Sequence, residues 1–208
     1  VTAGVDGDEY AGIEAAKELT ATYRGDIPLT VIPTVNRAGN LAGVSWNPLD
    51  GRYPKHIFPG SPWGSSSSRL IHSLLLHLEG VELWLDLHGG ASDEHLHPFV
   101  WTGHPYPRLG TLSLPLVITE PASLAPATYC KRHNLEYILV EAGELGHPDE
   151  ESVQIHLETV HTLLTSLRET SFPPVRPTYH AVHFQKNLGT IPHDYLWYSP
   201  ETIATGVW

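Results

Sequence analysis

Short apolar runs alternate with longer amphipathic stretches along the chain. Residues 1–5 form a brief apolar run, and from Asp8 or Glu9 to about Tyr23 apolar positions recur at helical spacing through Ile13, Ala16 and Leu19. Gly25 and Pro28 punctuate that helix, and PLTVIPTVN, residues 28–36, is rich in β-formers. Strand, helix and strand in that order predict a βαβ unit with a parallel pair. Residues 37–64 carry no period and are rich in Gly, Pro and Asn, so they read as a long loop, and such loops are usually functional. Serines 65–68 then cap a helix with a stripe of Leu70, Leu74, Leu75 and Leu78, stopped by Gly80. VELWLDL, residues 81–87, predicts a strand that runs directly into His88-Gly89-Gly90. Further strands are expected at 98–101, at 112–118 despite Pro115, and at 136–141, with a short helix over 126–133. The clearest helix spans 151–169, where Val153, Leu157, Val160, Leu164 and Leu167 step by three or four. After Pro173-Pro174 the pattern turns to alternation and aromatics, which predicts a β-rich tail.

Composition narrows the function classes. A chain of 208 residues suits one domain, or one with a small appendage, and 41% hydrophobic with 17% charged residues is ordinary for a globular protein. A formal net charge of −11 argues against a nucleic-acid partner and against a basic membrane-binding face. No apolar run approaches the roughly 20 residues of a membrane span. One cysteine, Cys130, allows no internal disulfide, which fits a reducing, cytoplasmic setting. The absence of Met and the abrupt ends lead us to expect a trimmed chain or a fragment of a longer protein. Oligomeric state is not legible.

Ligands of open α/β sheets bind beyond the carboxyl ends of the strands. There the chain puts Asp6 and Glu9, then Asp86 and His88, then Glu141. Helix capping explains an acidic turn before a helix equally well. If the strands are parallel neighbours, however, two carboxylates and an imidazole converge, which suits a divalent cation, zinc first. The further carboxylate, Glu141, is then placed to act as a general base. No G-x-S-x-G, phosphate-binding or dinucleotide-binding glycine motif is present.

In order and spacing these motifs resemble the succinylglutamate desuccinylase/aspartoacylase family, a branch of the zinc carboxypeptidase superfamily. AGVDGDEYAG lies on the family's G-x-H-G-(N/D)-E, DGRYPKHIFPG on its D-G-x-x-L-N-R-x-F-P-G, Asp86-Leu87-His88 on its D-L-H, and Glu141-Ala142-Gly143 on its E-x-G. The resemblance implies a three-layer α/β/α fold with a mostly parallel mixed central sheet. With the pattern change near residue 171, the chain is expected to divide into a zinc-carboxypeptidase-like catalytic domain over 1–170 and a β-rich tail over 171–208 that belongs to a truncated small C-terminal domain. The resemblance implies metal ligands at Asp6, Glu9 and His88, a general base at Glu141 and Asp86 as the carboxylate orienting His88. Three departures stand out: Asp6 replaces the first His, Lys55-His56 replace the Asn-Arg pair, and Trp46 stands where an Arg often precedes the D-G turn. Asp Oδ is as many bonds from Cα as His Nδ1, so Asp6 reaches a similar point, though the harder site also admits manganese or cobalt. Lys55, His56 and Arg52 are left to meet a substrate carboxylate, less rigidly than an Arg fork. The expected function is metal-dependent hydrolysis of an amide bond in a small carboxylate-bearing substrate or short peptide. The alternative is a pseudoenzyme or binding module that keeps the fold without turnover.

Overall fold

Period-two alternation sorts the central strands onto two faces. In the computed structural model, which describes residues 1–119 and 125–176, five strands form one mixed sheet: β1 (Thr2–Ala3), β2 (Leu83–His88), β3 (Phe99–Thr102), β4 (Leu116–Ile118) and β5 (Glu136–Glu141). Their spatial order is β1-β2-β5-β3-β4; β1, β2 and β5 are parallel neighbours, β3 is antiparallel to β5, and β4 is parallel to β3. Leu85, Leu87, Ile138 and Val140 point to one face and pack under helices α1 (Tyr10–Thr22) and α5 (Glu150–Ser166). Trp84, Tyr137 and Leu139 point to the other, against α3 (Ser66–Leu76) and α4 (Ala125–Arg132). The result is the expected α/β/α layering, with a buried core on each side of the sheet.

Local chemistry accounts for the element ends. Asp149 caps α5 by accepting from the Ser152 amide at 2.9 Å, and Ser65 caps α3 through the Ser68 amide. The expected strand over 28–36 is not regular. Ile32 bonds in parallel to Val1 and Ala3 of the first strand, and Val35 and Asn36 donate to Ala3 and Gly4, but Pro28 and Pro33 lack the N–H a ladder requires. The 112–118 strand shortens to β4 for the same reason, at Pro115. The loop expected over 37–64 contains a short helix, α2 (Arg37–Ala42), capped by the Asn36 side chain and ended by left-handed Gly43, plus a 3-10 turn at Pro54–His56. The tail expected over 171–208 has no strand in residues 171–176, and residues 177–208 lie outside the described residues. No helix among the described residues is long and apolar enough to cross a membrane.

His156 links the packing to the site. It lies on α5, fully buried, and its Nε2–H donates to the Ala142 carbonyl at 3.0 Å, just after Glu141. Its Nδ1 has no hydrogen-bond partner among the described residues, and burial pulls the ring down from 6.5 to about 4. Between those values the unfolded chain binds a proton that the native one does not, so native stability falls as pH drops through that window and is unaffected above it. We expect a loss of ~2 kcal/mol on going from pH 7.5 to pH 5 from this residue alone. Urea unfolding of His156→Gln, whose amide keeps the donor to Ala142, checks this: the loss should shrink by that amount.

Candidate metal centre

Parallel pairing carries three strand ends to one place. The β1–β2 register pairs Thr2 with Asp86 and Ala3 with Leu87, and the β2–β5 register pairs His88 with Glu141. Residues 4–9 turn from β1 into α1 directly beside them. Two glycines permit the close approaches: a Cβ on Gly7 would sit 2.3 Å from the Asn40 amide of α2, and one on Gly89 would sit 2.4 Å from the Ala142 carbonyl.

Asp6, Glu9 and His88 are all buried, at 1%, 5% and 3% exposure. Glu9 occupies the N-cap position of α1 but makes no capping hydrogen bond. Its Oε2 lies 2.8 Å from His88 Nδ1 and accepts from the Gly89 amide at 3.2 Å. Asp8 accepts from Ser45 Oγ at 2.7 Å and from the Ser92 amide. Capping therefore does not account for the acidic turn. Asp6 Oδ2 is 4.0 Å from His88 Nδ1, and Asp6 Oδ1 is buried with no hydrogen-bond partner among the described residues.

The donor set fits a divalent ion. Tetrahedral coordination at about 2.0–2.1 Å separates neighbouring ligand atoms by about 3.3 Å. The 2.8 and 4.0 Å spacings bracket that value, and one ligand atom from each of the three residues falls within 4.8 Å of the others. His88 Nε2 meets Asp86 Oδ2 at 3.2 Å, which holds a proton on Nε2 and turns Nδ1 toward the hollow and Glu9. Asp86 is itself fixed by Thr2 Oγ1 at 2.5 Å and the Tyr137 hydroxyl at 3.1 Å, and Trp84 Nε1 donates to Thr2. Asp86 and His88 share a strand face because they are two residues apart; Thr2 and Tyr137 were not singled out by sequence, because only the strand register brings them to Asp86.

Electrostatics follow from crowding. Burial raises Glu9, and although burial opposes it, the Glu9 and Asp86 carboxylates hold His88 above its ordinary value. The pair thus retains a proton that an arriving cation would displace. Burial pushes Glu141 up to about 7; His88 and Lys55 pull it back and Asp6 adds to the rise. Lys55 ion-pairs with Asp6 Oδ2, and the fields of Asp6, Glu9 and Glu141 outweigh its burial and keep it above the usual lysine range.

The expected site residues therefore divide. Asp6, Glu9, His88, Asp86, Lys55 and Glu141 belong to one electrostatically connected cluster. His56 is exposed beside Tyr53, with ring centroids 6.0 Å apart, and partial desolvation of the ring and the Lys55 charge lower its pKa. Arg52 is exposed in the turn where its carbonyl accepts from the Asn47 amide, and among the described residues no hydrogen bond or ion pair joins its side chain to the cluster. The loop bearing Arg52, Lys55 and His56 is tied down by Asp50, whose carboxylate accepts from the Ser67 amide and hydroxyl, both at 2.7 Å.

Comparison with known proteins gives the same frame. The family model of the succinylglutamate desuccinylase/aspartoacylase catalytic domain matches residues 1–167. The chain is 32% identical to N-alpha-acetyl-L-2,4-diaminobutyric acid deacetylase of Halomonas elongata over 103 residues, which are 48% of this chain and 30% of that protein. It shares its fold with a succinylglutamate desuccinylase/aspartoacylase from Rhodobacter sphaeroides (TM-score 0.68, 24% identity, 79% of this chain and 53% of that one). It likewise shares its fold with the ectoine utilization protein EutE of Ruegeria pomeroyi (TM-score 0.74, 20% identity, 85% of this chain and 60% of that one). The chain thus spans less than two thirds of the length of each of these relatives.

Proposed function

The chain belongs to the succinylglutamate desuccinylase/aspartoacylase family, and from that premise we propose that it is a metal-dependent hydrolase of an amide bond in a small, carboxylate-bearing N-acyl compound. One observation carries the reading: Asp6, Glu9 and His88 present three buried donors at metal-ligand spacing, with Glu141 level with His88 on the adjoining strand.

Asp6, Glu9 and His88 would hold the ion, zinc first, with manganese or cobalt admitted by the hard donor set. When bound, it supplies Lewis-acid polarisation of the scissile carbonyl and acidifies water. Glu141 takes the proton from the attacking water and delivers it to the leaving amine, a double task suited to a carboxyl whose pKa burial raises. Asp86 holds the proton on His88 Nε2, so that Nδ1 would be the ring nitrogen left to the ion once the proton shared with Glu9 is lost. Lys55 and Arg52 supply positive charge on the loop for the substrate carboxylate, and His56, whose proton the Lys55 charge disfavours, adds a neutral hydrogen-bonding ring.

A binding module without turnover is the second reading, and the ion pair between Lys55 and Asp6 favours it, because it supplies a cation to the pocket without a metal. Hydrolysis of a panel of N-acyl amino acids, including N-acetylated 2,4-diaminobutyrate, separates the two. We expect turnover by the zinc-loaded protein that a chelator removes and added zinc restores. Binding of these compounds with no amine released at any metal loading would establish the second reading instead.

A further inference from the structure

The Asp6 oxygen nearest His88 already has a cation on it. Lys55 Nζ contacts Oδ2, the same atom that lies 4.0 Å from His88 Nδ1. The other positive candidate, His88, is engaged by Glu9 at 2.8 Å and Asp86 at 3.2 Å, so the ammonium is the close counter-charge of Asp6. That pairing answers a physical need, since a buried carboxylate without a partner is strongly destabilising. Asp6 is 1% exposed, whereas the Lys55 side chain is 36% exposed. The ammonium therefore enters from the mouth of the hollow and can withdraw to solvent without disturbing the core. Its backbone is held by the 3-10 turn Pro54–His56, and its ammonium also lies 5.8 Å from the Tyr53 ring centroid, an alternative resting place outside the carboxylate cluster.

Resting on the metal reading above, we propose that Lys55 is a tethered competitor for the ion: its ammonium holds Asp6 until a divalent cation takes that carboxylate, and so it sets the site's metal affinity. An ammonium and a dication cannot share one carboxylate oxygen without strong repulsion in so dry a place. The departure from His to an acidic ligand at position 6 and the lysine at position 55 are then two halves of one change. The carboxylate needs a counter-charge whenever no ion is bound, and Lys55 supplies it.

The test is divalent-ion affinity of the full chain, measured by competition with a chromophoric chelator for zinc and for manganese. Lys55→Met removes the charge, and Lys55→Gln removes it while keeping a hydrogen-bond donor for Asp6, which protects the fold. Both should bind at least roughly tenfold more tightly than the parent, and Lys55→Arg should stay close to the parent. Unchanged or weaker affinity in the neutral variants overturns the proposal and leaves the metal reading standing. Failure of the parent and of both neutral variants to bind either ion defeats the metal reading and this inference together.

Discussion

Replacing Glu141 by Gln should lower kcat for amide hydrolysis by about 10²–10⁴, while divalent-ion binding should survive. The expectation rests on place and on protonation. Glu141 ends β5 opposite His88 in the parallel register, outside the trio of candidate ligands. Gln fills the same volume but cannot accept a proton and pass it on. The carboxyl is raised to about 7 chiefly by burial, and in its protonated form it cannot serve as base. In the parent, kcat/KM should therefore climb with pH along an acid limb and level off above it, and because a bound dication favours the charged carboxylate, that limb lies below about 7. Loss of that limb along with the rate marks Glu141 as the base; full activity in the Gln variant would remove it from the mechanism.

Asp6→Ala should weaken zinc binding by ~10²-fold or more, because it deletes one of three ligands, whereas loss of a supporting outer residue typically costs 10–100-fold. Folding should be little affected: the alanine removes a buried carboxylate, and the part-exposed Lys55 is free to turn to solvent. Asp6→His returns the family's residue to that position but sets an imidazole against the Lys55 ammonium. Its gain in zinc affinity should thus be realised fully only in combination with Lys55→Asn. Chelator competition on the three variants reads each step, and wild-type affinity in Asp6→Ala would exclude Asp6 as a ligand.

Much of this was legible from residue order, and the exceptions have physical causes. Alternation in LWLDLH predicts that Asp86 and His88 share a face opposite Leu85 and Leu87, and they do. The stripe that marks α5 through Val153, Leu157 and Val160 also passes through position 156, so the burial of His156 was implicit in the period. Helix α2 has six residues and no apolar stripe; its only signals are Asn36 before it and Gly43 after it. The 28–36 segment has β composition, but its prolines keep it from joining the ladder beyond single bonds at the sheet edge. Pairing of Lys55 with Asp6 spans 49 positions and depends on how Asp50 pins the loop to α3, which no local pattern encodes. The family resemblance, together with charge type, suggested a substrate anchor at 55, and only tertiary structure reveals a neighbour that competes for it.

The most direct measurement is anomalous diffraction at the zinc absorption edge from crystals of the zinc-saturated protein. The account predicts one strong peak within about 2.0–2.2 Å of a carboxylate oxygen of Asp6, a carboxylate oxygen of Glu9 and Nδ1 of His88, with the Lys55 ammonium withdrawn from Asp6. A saturated crystal with no peak among those three residues, and the Lys55–Asp6 pair intact, would contradict it.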